Sequence, residues 1–477
     1  MKYVWDWKTT YNNEPPAEIF DCLIAEFLLN EGRSTPDLQK TLESYKTDTV
    51  EALGKKQQEL LADLPKLDFF LKHLEIPLIP ILISMENTGI ELDCNLLKAV
   101  GVDIDHALVS IKDKIVHAVG TEINISSPAQ MGAFLAEKEG VPLSKTKTGQ
   151  YATNEQELLK YKDQFPLIET LLKYRELTKI KSTYIDSLIT KVDEKSRIHT
   201  TYSTIGVNTG RLSSSNPNLQ NIPVASEQGR KIKECFVASK GKILLSFDYS
   251  QQELRVLAHL SQEDKLIEAF NKNMDIHSLT AAQLFKVDYG DVTREQRYVA
   301  KTINFGIVYG MSSYGMSEGL QIPLVDAEKF IKEFYGTYPK IKSYYDTYLK
   351  NAQTHKYAET LMGRRRYVFA YPGQKFMDNA TRRVLMNYPI QGSAAELTKM
   401  AMIKLQKEFL SKRSDVKLLL QIHDELVFEM DETSEASLKE TVRKIKEIMT
   451  DVYPLLVPVE AGVKVGKSWG GLTPLGK

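Results

Sequence analysis

The 477 residues carry 62 basic and 62 acidic side chains, a formal net charge of zero, and 42% of them are hydrophobic. A chain of this length buries more than one core, and its neutral balance excludes recognition of a polyanion by bulk charge; any such surface must come from charge segregated within the fold. Three widely spaced cysteines (Cys22, Cys94, Cys235), a charged Met1–Lys8 start and no run of about 20 apolar residues exclude a disulfide scaffold, a signal peptide and a membrane helix, and predict a cytoplasmic protein.

In chain order, Met1 to about Glu75 reads as mostly helical, with Ile19–Leu29 a buried helix after a break at Pro15-Pro16. It shows no catalytic cluster. At Ile76-Pro-Leu-Ile-Pro the texture turns apolar and proline-punctuated, which places the main boundary there. Ser127-Pro-Ala-Gln130 predicts a helix start, with Ser127 as N-cap, Pro128 in the first turn and Gln130 closing a capping box. From there to about Ser196 the pattern is helical and charged. Arg175 and Lys179 share a helix face at i, i+4, either as a phosphate-tracking pair or as a solvated face. Asn208 to Asn221 is a loop by composition. Its hydroxyls, its amides and Arg211 supply donors for phosphates, sugars and minor-groove acceptors.

The run Lys242–Phe247 reads as a buried strand that sets Asp248 at its end. Further on, Arg297, Lys301 and Phe305 fall at i, i+4 and i+8, with Tyr309 one turn later, so two cations and two rings line one helix face. That order suits a triphosphate followed by a sugar and base. An amphipathic helix with a solvated basic face is the bland alternative. Gly306 and Gly310 weaken it, since each glycine costs roughly 1 kcal/mol against alanine in a helix and signals close approach or a hinge. Gly363-Arg-Arg-Arg-Tyr367 is the strongest basic cluster, with solvation as its usual meaning, and Arg382-Arg383 followed by Asn387 and Gln391 mixes basic and amide side chains at helical spacing.

Val416–Ile422 and Leu426–Glu429 are strand-like runs around His423-Asp424-Glu425, which sets Asp424 on a hairpin tip facing Asp248. Leu438–Val452 reads as an amphipathic helix and Val459–Val465 as a final strand. Helices and strands thus mix without a βαβ rhythm, which gives an α+β fold. Two carboxylates on neighbouring strands suit hard divalent cations such as magnesium. A pair of such ions serves polymerase, nuclease and phosphatase chemistry alike. The cationic helix favours nucleotide transfer.

In this order the motifs resemble those of family A DNA polymerases, from about Ile76 to the C-terminus. The resemblance implies a right-hand architecture: a thumb at about 93–196, a palm at about 197–260 and 411–477, and fingers with adjoining helices at about 261–410. Residues 1–75 would be a truncated, inactive remnant of a 3′–5′ exonuclease domain. It implies Asp248 and Asp424 as metal ligands for two Mg2+ ions, for which Mn2+ can substitute, with the Tyr249 carbonyl assisting and Glu425 nearby. Arg297 and Lys301 would contact the triphosphate, Lys301 as proton donor to pyrophosphate. Phe305 would pack on the incoming sugar and base and Tyr309 on the templating side; Glu253 would crowd the ribose 2′ position, with Gln251 and His277 completing the nucleotide pocket. Arg211, Asn218, Asn221, Arg383, Asn387, Gln391 and His423 match positions that touch a primer-template DNA duplex. The expected reaction is DNA-templated addition of deoxynucleoside triphosphates to a primer 3′-hydroxyl by a monomer.

Gln252 stands where the family usually has an aliphatic side chain, and Ala225 where a basic residue is common. The N-terminal segment lacks the paired Asp-x-Glu of a proofreading site, so no exonuclease activity of either polarity is expected. Rival readings are a single-subunit RNA polymerase, which Glu253 and Phe305 oppose, a polymerase with substantial reverse transcription, and a catalytically silent DNA-binding subunit.

Overall fold

A computed structural model describes residues 1–10, 18–30, 36–120, 123–223, 226–368 and 378–475. Its organising element is a five-stranded antiparallel sheet in the order Val416–Ile422, Glu425–Asp431, Lys242–Tyr249, Ala461–Gly466, Thr473–Pro474. The central strand, Lys242–Tyr249, is apolar on both faces because both are covered. Leu245 and Phe247 join one core with Met402, Leu405 and Ile445, whereas Leu244 joins another with Leu97, Leu177 and Leu419. Phe247 and Phe428 meet edge to face at 5.6 Å. The register pairs Glu425 with Asp248 and Leu426 with Phe247, so the hairpin tip lies against the end of the central strand. The helix Glu435–Thr450 and the strand Ala461–Gly466 fall close to their sequence expectations.

The helix Cys94–Val119 packs against Pro166–Ile180 to form an arm whose base shares the sheet's core and whose tip has its own, around Ile115, Met131, Leu135 and Ile168. A fourth core gathers the helices between Gln252 and Glu408, including Ile303 and Ile307 of Arg294–Val308 and Leu385 of Asn379–Glu408. Among the described residues no helix is long and apolar enough to cross a membrane.

Several local expectations are corrected. Ile19–Asp21 forms a strand, parallel to Lys2–Val4, and the helix begins at Cys22 with Asp21 as its N-cap. Ser127 caps its helix as expected, but the Gln130 side chain accepts from the Asn124 backbone N–H and closes no capping box. Within the loop expected at 208–221, Ser213–Ser215 pairs with Thr201–Ser203. Helical backbone also runs without a break across the Glu75–Ile76 boundary. A π-turn over Leu71–Glu75 leads directly into Ile76–Thr88, in which Pro77 and Pro80 supply no backbone donor. The apolar texture there marks a helix held between two cores: Ile79 faces the N-terminal one, and Leu78, Ile81 and Leu82 face that of the sheet.

The basic cluster 363–367 is a hairpin rather than a solvated face. Arg364 is 1% exposed, stacked over Phe27 and Phe70, and Arg365 pairs with Glu359 at 3.0 Å. Pro15, Pro16 and Ala225 lie outside the described residues.

Candidate active site

Asp248 is the penultimate residue of the central strand, and Asp424 sits in the two-residue turn His423-Asp424, with His423 in a left-handed conformation (φ +53°). The Tyr249 N–H donates to the Asp424 carbonyl at 3.1 Å, which ties the hairpin tip to the central strand. Above them rises the helix Arg294–Val308, started by a capping box between Thr293 and Gln296 and ended by Gly310 at φ +65°. A Cβ on Gly310 would lie 3.1 Å from Arg383 Cα, so the expected close backbone approach is present.

One cavity of about 370 Å³ gathers Asp248, Asp424, Tyr249, Gln251, Glu253, His277, Arg297, Lys301, Phe305 and Tyr309, every expected catalytic and nucleotide-contacting position, together with Arg211 and Gln252. A larger cavity of about 490 Å³ lies at the far end of the sheet. Its central groups bond one another: Arg197 to the Thr88 and Gly89 carbonyls and, with Lys242, to Glu429. The smaller cavity gathers the candidate catalytic side chains.

Electrostatics divide its walls. Partial desolvation first, then the charges of Glu425 and Asp424, push the Asp248 carboxyl up to about 6. Burial also raises that of Asp424, against the pull of Arg211 and His423. Glu253 is buried and bonds Arg211 Nη2 at 2.6 Å. Burial raises its carboxyl too, opposed by Arg211, Tyr309 and Gln391. Arg211, expected on the duplex, is therefore an ion-pair partner inside the cavity. Gln391 likewise stands beside Glu253, one turn beyond Asn387, whose amide donates to it at 3.2 Å.

Across the cavity, Arg297 Nε is held by Asp275 at 2.6 Å, and Asp275 also caps the helix Ile276–Phe285 by accepting from the N–H groups of His277 and Ser278. His277, in the first turn of that helix, is buried against Phe305, 5.6 Å ring to ring, and burial lowers its pKa to about 4. The Asn304 amide donates to Nδ1 at 3.0 Å, so a neutral His277 carries its proton on Nε2. Phe305 and Tyr309 stack at 6.3 Å and 23°.

Two carboxylates and a strand-end carbonyl make a donor set for a hard cation. Among the described residues no three His, Cys, Asp or Glu side chains form a closed metal site. The open pair fits magnesium, which keeps several waters and takes substrate phosphates as ligands. Its fit shows in the Asp248 carboxyl, raised first by burial and then by the like charges of Glu425 and Asp424, both of which a cation offsets.

Glu425, expected with the metal ligands, does not line the cavity. Its carboxylate accepts from Ser246 Oγ and Trp469 Nε1 instead. Arg175 is half-buried and bonds the Thr153 carbonyl, so of the pair Arg175 and Lys179 only Lys179 is exposed. Asn218 and Asn221 are exposed in their loop, Asn218 accepting from Gln220 N–H in an Asx turn, and Arg383 and His423 are exposed as well. Gln252 is buried with its amide N 3.5 Å from Thr398 Oγ1 and its amide oxygen without a partner. Sequence reasoning missed Asp275 and Asn304. An Asp immediately before the apolar Ile276 was the available signal for the first; nothing local pointed to the second.

Residues 94–471 match the model of DNA polymerase family A. The chain is 38% identical to DNA polymerase I of Caldicellulosiruptor bescii over 98% of its own length and 57% of the relative's. It is also 38% identical to the thermostable DNA polymerase I of Thermus aquaticus, over 95% and 55%. It thus spans about half the length of the curated relatives it matches. The structure matches the POL domain of Pol1 from M. smegmatis, in complex with DNA primer-template and dNTP, with a TM-score of 0.88 and 33% identity over 94% of this chain and 82% of that one. The right-hand α+β architecture expected from the motifs is borne out by this likeness.

Proposed function

Because the chain belongs to DNA polymerase family A, we propose that it extends a DNA primer on a DNA template, joining the primer 3′-hydroxyl to the α-phosphate of a deoxynucleoside triphosphate with release of pyrophosphate. The observation that carries this reading is the single cavity that faces two carboxylates with Arg297, Lys301 and a stacked aromatic pair.

Asp248 and Asp424 would hold two magnesium ions, which supply acidity to the attacking hydroxyl and charge stabilisation to the leaving oxygen. Arg297, preset by Asp275, and Lys301 neutralise the triphosphate, and Lys301 stands ready to protonate pyrophosphate. Phe305 offers a flat face to sugar and base. Glu253, fixed by Arg211, narrows the space at the 2′ position and so favours deoxynucleotides. Neutral His277 adds no charge and presents an N–H donor. Catalysis is then mainly positioning and fixed electrostatics. The exposed donors Asn218, Asn221, Arg383 and His423 border the cavity's elements and suit a duplex read by shape.

The N-terminal segment contributes no proofreading in this reading: its buried Asp21 is engaged as a helix N-cap, accepting from Trp7 and Ile24 N–H groups at 2.8 and 3.0 Å. The test is extension of a labelled primer with magnesium, comparing deoxynucleotides, ribonucleotides and a mismatched primer end. Deoxynucleotide-only extension with the mismatch left in place supports the proposal. Duplex binding without extension would favour a silent DNA-binding subunit, and efficient extension on an RNA template a reverse transcriptase.

A further inference from the structure

Arg364 is a charge that the proposed reaction does not use, and it lies where two parts of the chain meet. Its side chain is 1% exposed. The guanidinium stacks over Phe27 and Phe70 of the N-terminal segment, 5.5 and 6.0 Å from the ring centroids. It also fills the space beside Gly210, where a Cβ would lie 2.0 Å from Nη1 and 3.0 Å from Cζ. Gly210 holds φ at +79°, a left-handed conformation that other residues adopt only at a cost. The next residue in the chain is Arg211, the ion-pair partner of Glu253.

The turn that carries Arg364 is itself fixed. Arg364 N–H donates to Thr360 Oγ1 at 3.0 Å and Thr360 N–H donates to the Arg364 carbonyl at 2.9 Å. Glu396 accepts from Thr360 Oγ1 and, at 3.1 Å, from Met362 N–H. Lys66 of the N-terminal segment pairs at 2.9 Å with Glu359, whose strand is the partner of Arg365–Tyr367. The loop ahead of Arg211 has a second contact, because a Cβ on Gly392 would lie 3.3 Å from the Thr209 carbonyl oxygen. Thr209-Gly210 therefore rests on Arg364 and on the helix Asn379–Glu408, and Arg211 extends from that support to Glu253 at 2.6 Å.

Burying a guanidinium is expensive, and packing alone at a junction of aromatic rings would be served by an apolar side chain. What a planar cation adds is a rigid plate of fixed orientation against which a backbone can be set.

We propose that Arg364, braced by Phe27 and Phe70, is a positioning residue: it sets the backbone of Thr209–Arg211, through it the Arg211–Glu253 pair, and so the choice between deoxyribonucleotides and ribonucleotides. The N-terminal segment thereby acts on sugar choice without touching substrate. The inference rests on the role at the ribose 2′ position given to Glu253 above.

The test is single-nucleotide primer extension, comparing kcat/KM for a deoxynucleotide with that for the matching ribonucleotide in Arg364→Lys, Phe27→Leu and Phe70→Leu. The lysine keeps the charge and loses the plane. The leucines keep the segment apolar and lie outside the cavity, so if the buried lysine variant unfolds they still report. A misplacement of about 1 Å can cost up to about 10²-fold, and the preference for the deoxynucleotide is expected to fall by roughly 10-fold in Arg364→Lys and by a smaller factor in each leucine variant. The fall should vanish in a Glu253→Ala background, where no gate is left to set. A purely structural role would lower both kcat/KM values together and leave their ratio unchanged, or lower the ratio equally with and without Glu253; either result overturns the proposal. A fall in Arg364→Lys with both leucine variants unchanged would remove the N-terminal segment from it. Glu253→Ala alone separates this inference from the reading beneath it. If that variant discriminates as well as the unsubstituted chain, Glu253 is not the gate. If it loses discrimination while Arg364→Lys, Phe27→Leu and Phe70→Leu keep it, only the role of Arg364 fails.

Discussion

The ion pair between Lys399 and Glu75 is a severe test of how the N-terminal segment is joined to the rest of the molecule. Both side chains are 2% exposed and the N···O distance is 2.5 Å. At an effective dielectric near 20, that separation corresponds to an attraction of about 6–7 kcal/mol. Taking each ion out of water costs several kcal/mol, so the pair as a whole is close to neutral, whereas either member alone is a liability of about 3–5 kcal/mol. Lys399→Met is therefore expected to destabilise the fold by about 3–5 kcal/mol. Adding Glu75→Leu to it should return stability to within about 2 kcal/mol of the unsubstituted chain, because the stranded carboxylate goes with its partner. The assay is urea unfolding of the four members of this cycle, compared by midpoint at constant slope. A Lys399→Met variant that costs less than about 1 kcal/mol, or a double variant as unstable as the sum of the singles, would refute this account of the pair.

Replacing Asp424 with Asn should lower primer extension by at least roughly 10²–10³-fold while duplex affinity, measured by fluorescence anisotropy, stays within a factor of two or so; equal extension would remove Asp424 from the cation site. Because the Asp248 carboxyl titrates at about 6, protons compete with the cation below that pH, and half-saturating Mg2+ should rise by about four-fold between pH 7.5 and 5.5. The sign for stability is the reverse: a carboxyl raised above 3.8 ionises at a cost to the fold, so without divalent cations the Asp248 contribution to stability falls as pH rises from about 4 through 6, and Asp248→Asn removes that contribution while leaving those of the buried, raised carboxyls of Asp21 and Glu396. Gly310→Ala, at φ +65° and against Arg383 Cα, should destabilise by about 1–2 kcal/mol, read as a lower urea midpoint; no change would mean that the helix end relaxes freely.

How far the sequence reached depends on the range over which each signal acts. Periods of 3.6 and 2 are local, so Arg297, Lys301 and Phe305 on one helix face, Asp248 at a strand end and Asp424 in a hairpin turn could be placed from their neighbours alone, and the structure brings all five to one cavity. What neutralises each charge is not local. Asp275 reaches Arg297 from 22 positions away, Arg211 reaches Glu253 from 42 and Trp469 reaches Glu425 from 44. For that reason Arg211 and Arg175 read as free cations when both were already engaged, and Glu425 read as a metal ligand when its oxygens faced Ser246, Trp469 and Lys233. The texture at Ile76 has a related limit. Proline and apolar texture mark where a helix starts and what it buries, but which of two cores takes each face is decided by residues hundreds of positions apart, such as Lys399 against Glu75. A charged residue's chemistry is legible in its spacing, whereas its availability for a ligand depends on whether the fold has already paired it. The groups that line this cavity with their charges least compensated, Lys301 and the Asp248–Asp424 pair, are accordingly where a triphosphate and its cations have the most to gain.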